Sequence, residues 1–377
     1  MAKPLDIQST LSRHQQAIVA TLRDAMDMES NVIPPQPDVV IGPFYGQMKY
    51  HLGWVDSNFA PTSAHPGKLL RPTLLLLAYE ASGAWNMANE TLIFSDQVTT
   101  YLRRALPAAA TLELTHNCTL IHDDIEDGDT ERRHRPTVWN EWGIPQATNT
   151  GDGMYTLARL TLWKVLDEGV EEGIAAQLGT LLDRTCLAIF EGQYLDMSFE
   201  QRLDISLPMY LNMINRKTAA LMACASEMGG LLGTRNAGTI SSLRRFGWIL
   251  GRAFQVRDDL LGIWEAEELG KLPAGDIYRR KKTLPVIHAL AHANERDQAL
   301  LHTIYTQKPP VTPEQVADIL AIFTRTHTRA YCQEFLSHQC AEAYAALADI
   351  PRRNTPIAVR AFQDMETIVA FLEEAAH

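Results

Sequence analysis

From Phe44 to near the C-terminus the chain reads as one long helical segment after another, with few strand signals between them. A chain that offers mainly helix-period segments must bury them against one another, which directs it to an all-α architecture. Residues 9–30 read as a polar amphipathic helix, and Asn31 to Pro43, with four prolines, as a linker. Pro72 marks an early helix position ahead of the buried run Thr73-Leu74-Leu75-Leu76-Leu77-Ala78. Residues 92–127 form a segment rich in Ala, Leu and Thr, with a kink expected near Pro107. Further helices are expected at 150–167, 172–200, 207–232, 238–268, 285–305, 312–348 and 355–375, with Gly229 to Gly233 read as a helix end and Pro309-Pro310 and Pro351 as breaks. The organisation is then an N-terminal helix and Pro-rich linker (1–43) followed by one large all-α domain (44–377), with no clear repeat.

Composition narrows the classes. With 377 residues, 46% of them apolar, the chain can bury a large core. A net charge of −11 argues against non-specific nucleic-acid binding and makes local clusters of Lys and Arg conspicuous. Five widely spaced cysteines do not make a disulfide framework. The polar N-terminus reads as no signal peptide, and no apolar run reaches the length of a membrane span, so a cytoplasmic protein is expected. Asn89-Glu90-Thr91 and Asn117-Cys118-Thr119 match the glycosylation pattern by chance.

Two aspartate-rich patches stand out against this background: Asp123-Asp124-Ile125-Glu126-Asp127, followed by Arg132, Arg133 and Arg135, and Asp258-Asp259, preceded by Phe254-Gln255. On a helix, Asp123 and Asp127 share a face, with Thr119 and His116 on the same stripe below them. Carboxylates four residues apart repel, and negative charge near a helix C-terminus is unfavourable, so a solvated acidic helix end is a poor account of them. A hard cation such as Mg²⁺ removes the repulsion, and it commonly shares its shell with waters and substrate phosphates. Arginine forks suit phosphate oxygens. Together the patches suggest a site for metal–diphosphate substrates.

At these motifs the chain resembles the trans-isoprenyl diphosphate synthase (polyprenyl synthetase) family, from about Phe44 to Ala345. Gly67-Lys68-Leu69-Leu70-Arg71-Pro72 is similar to its GKRxRP element, with Leu69 in place of an arginine; His116 to Asp127 resembles the first aspartate-rich motif with its lead-in; Arg132-Arg133 stand at the family spacing. Gly192-Gln193-Tyr194-Leu195-Asp196 matches GQxxD, Lys217-Thr218 the KT pair, and Phe254 to Asp259 the second aspartate-rich motif, with Asp276, Lys281 and Lys282 beyond it. The resemblance implies a single large helical bundle around a central cavity, a homodimer, and head-to-tail condensation of isopentenyl diphosphate with an allylic diphosphate bound through three Mg²⁺ ions. It implies Asp123 and Asp127 as ligands on one side, flanked by Asp124, and Asp258 for the third ion with Asp259 beside it. Arg132, Lys217, Lys281 and Lys271 would grip the allylic diphosphate, and Lys68, Arg71, His116 and Arg133 the isopentenyl diphosphate. Gln255 and Thr218 would support the metals, the diphosphate or the nascent cation; Gln193 and Asp196 would support the metal side.

Two departures stand out. Gly262 occupies the place of a third aspartate after Asp258, and the stretch Trp264 to Lys271 lacks the usual Gly-Asp-Pro; Glu265 is a candidate to compensate. Product length in the family depends on residues four and five before the first aspartate, here Thr119 and Cys118, with Thr115 a turn further down. All three are small, which favours a product longer than farnesyl, geranylgeranyl first; Met154, Leu157, Ile189 or a partner subunit are alternative floors. A terpene cyclase of the same class would not need Lys68, Arg71, His116 and Arg133, and a non-catalytic subunit of a heteromeric synthase would not need the first motif whole. His288 and His292, spaced i, i+4, read as ordinary helix-surface histidines, and Cys332, His338 and Cys340 lack a fourth ligand for zinc. Neither Gly67-Lys68 nor Gly270-Lys271 is followed by Ser or Thr, so neither is a nucleotide loop, and Arg279 and Arg280 read as surface charge.

Overall fold

The computed structural model describes residues 6–28, 38–62, 67–84, 101–200, 202–265, 274–308 and 310–376. Its helices are α1 (Ile7–Ser12), α2 (Gln15–Met26), α3 (Gly42–His51), α4 (Leu70–Ser82), α5 (Leu106–Glu126), α6 (Val138–Trp142), α7 (Ile144–Trp163), α8 (Glu172–Phe199) and α9 (Leu207–Ile214). They continue as α10 (Ala220–Gly233), α11 (Ala237–Trp264), α12 (Gly275–Tyr278), α13 (Leu284–His292), α14 (Glu295–Thr306), α15 (Pro313–Arg325), α16 (Thr328–Ala348) and α17 (Pro356–Glu373). Among the described residues the sheet is one small hairpin, β1 (Glu131–Arg132) with β2 (Arg135–Pro136). The all-α class expected from the sequence is the fold observed.

Proline punctuates these helices. α3, α5, α7, α9, α13 and α15 each carry Pro in the first turn, where the missing N–H would have no partner in any case. Pro107 is therefore the start of α5 and not a kink within a longer helix; residues 92–100 lie outside the described residues. The expected 9–30 helix is two, α1 and α2, broken at Arg13-His14. Both of these side chains turn to the buried Glu80 of α4, at 2.8 and 3.2 Å, and Tyr101 donates its hydroxyl to the same carboxylate at 2.6 Å. The expected 285–305 and 312–348 helices are likewise each two. Asn294 caps α14, and His327, in the left-handed region (φ 53°), interrupts the chain before α16.

The described residues form two compact units: residues 1–182, 225–240 and 352–361, and residues 183–224, 241–351 and 362–377. In the first, α5 is the central element, packed by α2, α4, α6 and α7. Small side chains bring α5 and α7 close, and Thr111 donates to the carbonyl of Ala158 at 3.0 Å. Gly229 performs the same service between α10 and α4: a Cβ there would stand 2.3 Å from the carbonyl oxygen of Leu75. Gly229 and Gly230 therefore lie inside a helix, and only Gly233 is its end. Asn117 is fully buried within this unit, which excludes it as a glycan acceptor in the fold. In the second unit α13 packs on α9, α14, α15 and α16 over a core that includes Ile277, Val286, Ile319 and Phe323. His288 belongs to this core and is not a surface histidine: its ring stacks on His292 and Tyr331, and burial holds its pKa down at about 4.

Candidate active site

Each aspartate pair divides its work. In the first unit, Asp123 and Asp127 are half-exposed at the end of α5, whereas Asp124 is buried. The Asp124 Oδ1 accepts from Arg132 Nε at 2.6 Å, and Oδ2 is buried with no hydrogen-bond partner among the described residues. Burial pushes the Asp124 carboxyl up to about 7 against the lowering effect of Arg132. In the second unit, Asp258 is half-exposed near the end of α11 and Asp259 is buried. Asp259 accepts from the Tyr210 hydroxyl at 2.6 Å, the Leu284 N–H at 3.0 Å and Gln255 Nε2 at 2.9 Å; burial still raises it to about 7. Successive helix residues point about 100° apart, so one carboxylate of each pair faces outward while its neighbour fixes the surrounding elements.

Arg132 and Arg133 are placed by the β1–β2 hairpin. Its two central residues, Arg133 and His134, both take left-handed backbone (φ 53° and 60°), a turn that normally favours Asn-Gly. Arg135 pins the hairpin by donating to the carbonyls of Tyr50 and Val55 and by stacking over the Tyr50 ring. The Arg133 guanidinium lies against Gly67, where a Cβ would meet it at 2.7 Å. Gly67 itself has φ +91°, the left-handed conformation that favours glycine, and a side chain there would also push the Arg133 guanidinium aside. Lys68 is exposed ahead of α4, and Arg71 stands half-buried in its first turn.

His116 sits among these cations. Burial, then Arg71, Arg133 and Arg132, hold its pKa well below the usual histidine range. It is neutral at pH 7 and has a single N–H to offer. Two residues of this cluster were not anticipated. His51, at the end of α3, is likewise held neutral by burial and by Arg133 and Arg132. Glu113 is buried and bonded to Asn117 at 2.9 Å; burial raises its pKa, with Arg71 and Arg133 opposing. Glu113 was legible as the residue one turn before His116, whereas His51 carries no signal in the sequence.

Lys217 and Thr218 ride on a π-helical turn, Asn215–Ala219, inside what reads as one continuous helix. Such turns cluster at functional sites. The turn lies close against α8, where a Cβ on Gly192 would stand 2.3 Å from the Lys217 nitrogen. Lys217 pairs with Asp196 at 2.6 Å, and Thr218 donates to Gln255 at 2.6 Å, which links the GQxxD, KT and FQ elements within the second unit. Lys281 is half-exposed. Lys282, next to it, is buried and donates to the carbonyls of Glu200 and Arg280, so it serves as an anchor. Lys271 lies outside the described residues. Gln193 is half-exposed on α8. Thr119 is half-buried, its hydroxyl bonded to the carbonyl of His116, while Cys118 and Thr115 are fully buried.

Among the described residues no group of three or more His, Cys, Asp or Glu forms a ready-made cage. Mg²⁺ does not require one: it takes one or two carboxylates and completes its octahedron with waters and phosphate oxygens. In the first unit Asp123 and Asp127, with the orphaned Oδ2 of Asp124, and in the second unit Asp258, each offer oxygen donors of the kind that ion takes. No helix among the described residues is long and apolar enough to cross a membrane.

The fold and these side chains define an all-α protein of the isoprenoid-synthase type. The polyprenyl synthetase family model matches residues 53–323. The chain is 39% identical over 254 residues to the (2E,6E)-farnesyl diphosphate synthase of Mycobacterium bovis, which covers 67% of this chain and 65% of that protein. It is 34% identical over 313 residues to the geranylgeranyl diphosphate synthase of Mycobacterium tuberculosis, covering 82% and 83%. A polyprenyl synthase from Caulobacter crescentus CB15, solved in complex with calcium and isoprenyl diphosphate, superposes with a TM-score of 0.74 at 25% identity over 99% of both chains. This chain belongs to the polyprenyl synthetase family.

Proposed function

We propose that the protein is a Mg²⁺-dependent trans-prenyl diphosphate synthase that condenses isopentenyl diphosphate with an allylic diphosphate, with geranylgeranyl diphosphate as its product. The observation that carries this reading is the cation cluster of Arg71, Arg132 and Arg133 around His116 beside outward-facing Asp123 and Asp127. A cyclase that ionises a single diphosphate has no use for that second anion site. The relatives include makers of both farnesyl and geranylgeranyl diphosphate, so the C20 length rests on the small residues of α5.

Magnesium, when bound through Asp123, Asp127 and Asp258, supplies Lewis-acid neutralisation of the leaving diphosphate. The chain's own residues do the rest. Arg132, Lys217 and Lys281, joined by Lys271, hold the allylic diphosphate, and their fixed charge favours rupture of its carbon–oxygen bond. Lys68, Arg71, Arg133 and the single N–H of neutral His116 hold isopentenyl diphosphate. The Thr218–Gln255 pair supports the metals, the diphosphate or the nascent cation. The isopentenyl double bond forms the new carbon–carbon bond, and loss of one proton completes a longer prenyl diphosphate plus free diphosphate. Incubation with isopentenyl diphosphate, each allylic primer and Mg²⁺, with products identified by mass, tests the reading; no condensation with any primer would refute it.

The two diphosphate sites are separable. Arg71→Ala is expected to raise KM for isopentenyl diphosphate on the order of tenfold or more, the loss of a charge-assisted contact, and to leave KM for the primer nearly unchanged. Steady-state kinetics with each substrate varied in turn checks this, and equal change in both constants would reverse the assignment.

Thr119 lies on the Asp123 stripe and is partly open, whereas Cys118 is buried, so Thr119 is the better placed to meet a descending tail. Thr119→Phe is expected to shorten the product by about one isoprene unit, since one helical turn is about 5.4 Å. Cys118→Phe acts in the same direction but with a folding cost of about 1–3 kcal/mol from overpacking. Product profiles by mass decide, and unchanged profiles in both variants would place the floor elsewhere.

We further propose a homodimer. Leu160, Trp163 and Leu166 are exposed at the end of α7, and Leu187, Phe190, Tyr194 and Met197 along α8, more exposed apolar surface than a monomer needs. Residues 106–121 are largely buried within the first unit and do not offer a surface. Sedimentation at micromolar concentration is expected to give a dimer; a monomer there would contradict it.

A further inference from the structure

Two arginines face each other across the β1–β2 ribbon, Arg132 opposite Arg135. Like charges directly opposite on neighbouring strands repel, so each needs a partner elsewhere. Arg132 finds one in Asp124, at 2.6 Å. Arg135 turns to two backbone carbonyls outside the hairpin. Its Nη1 donates to Tyr50 at 3.1 Å and its Nη2 to Val55 at 2.6 Å, with the guanidinium carbon 4.1 Å from the centre of the Tyr50 ring.

Both acceptors are themselves held. The Tyr50 carbonyl is one of the last in α3, where a helix leaves acceptors unfilled and favours a cation. Val55 belongs to a closed loop, residues 53–62. There the Asp56 carboxylate accepts from the N–H groups of Asn58 and Ala60, each at 2.9 Å, and Thr62 donates its hydroxyl to the Gly53 carbonyl at 2.7 Å. Aromatic rings complete the brace. The Tyr50 hydroxyl donates to the Pro136 carbonyl at 2.9 Å, its ring meets Trp142 edge-on at 4.8 Å, and Phe59 of the loop stacks on Trp142 at 5.7 Å. The left-handed turn of Arg133 and His134 thus hangs between a first strand held by Asp124 and a second strand held by Tyr50 and Val55. A backbone in that region keeps its shape only while its surroundings over-determine it.

We infer that Arg135 is a positioning residue for the condensation: its fork onto the Tyr50 and Val55 carbonyls holds the turn that aims Arg133 at isopentenyl diphosphate, and it touches no substrate itself. This rests on the proposed role of Arg133. Because Asp124 secures Arg132 independently, the dependence falls on the isopentenyl site and not on the allylic one. Lysine cannot stand in for Arg135, since an ammonium is a point charge with no planar fork to span two carbonyls and no flat face for the ring.

The test is steady-state kinetics of the full chain with Mg²⁺, each substrate varied in turn, with thermal melts to set the assay temperature below every midpoint. Arg135→Lys and Arg135→Ala are each expected to raise KM for isopentenyl diphosphate about tenfold, the scale of one misplaced charge-assisted contact, and to leave KM for the primer within about twofold. In an Arg133→Ala background, Arg135→Lys is expected to change the isopentenyl constant less than about twofold, because the group through which it acts is gone. Tyr50→Phe, which keeps the ring and drops the bond to Pro136, is expected to raise the same constant about threefold. A wild type that condenses isopentenyl diphosphate with no primer would overturn the proposed function and this inference together. With an active wild type, the inference alone is overturned by an Arg135→Lys variant with the wild-type constant, by equal rises for both substrates, or by a full Arg135→Lys effect in the absence of Arg133. Should the Arg135 variants not fold, Tyr50→Phe decides, and an unchanged constant there overturns the inference.

Discussion

Asp123→Ala or Asp258→Ala is expected to slow turnover at least a thousandfold, roughly 4 kcal/mol of barrier. Both carboxylates are half-exposed, and each neighbour in the pair is buried and otherwise engaged, Asp124 by Arg132 and Asp259 by Tyr210, Leu284 and Gln255. The buried neighbour, held by these partners, cannot swing outward to replace the lost acid. The fold should tolerate the change, since both side chains are half-exposed, so circular dichroism and melting should stay close to wild type. Excess EDTA should abolish condensation in the same assay. Full-rate turnover with the metal removed, or in either variant, would remove the aspartates from the chemistry.

Glu80→Ala is expected to reduce unfolding free energy by about 3–5 kcal/mol, the usual cost of leaving buried charged partners uncompensated. The Glu80 side chain is completely inaccessible and receives Arg13, His14 and the Tyr101 hydroxyl. It is the point at which α1 and α2 are tied to α4, far along the chain from either aspartate motif. Urea unfolding should show the loss, and limited proteolysis should cut first near residues 6–28. Glu80→Gln, which keeps an acceptor oxygen for Arg13 and Tyr101, should lose less. A Glu80→Ala protein as stable as wild type would mean that the N-terminal helices are held by their apolar faces alone.

How legible was this molecule? Helix period and proline placement gave most elements, because each proline that begins a helix leaves a boundary in the sequence. Pro107 was read as a kink within a helix, whereas it stands in the first turn of one. The breaks at Arg13-His14 and His327 were not legible, since they follow from partners distant in sequence. The candidate carboxylates and cations stood out in the sequence because clustered like charges are costly without a ligand. What the sequence could not reveal was the division within each Asp-Asp pair or the π-helical turn under Lys217. Those depend on which face of a helix meets its neighbour. His51 was missed for a related reason: nothing local distinguishes it from a surface histidine until Arg132 and Arg133 are folded beside it.

The hairpin that carries Arg133 and His134 has a further consequence. Two side-chain-bearing residues in left-handed backbone are each worth about 1–3 kcal/mol of strain. Asn-Gly at these positions would relax the turn, yet it would also remove the guanidinium that rests on Gly67. Selection for thermal endurance and selection for catalysis would thus pull in opposite directions at one dipeptide, and a screen that scores only melting temperature would be drawn to replace the residue proposed to grip isopentenyl diphosphate.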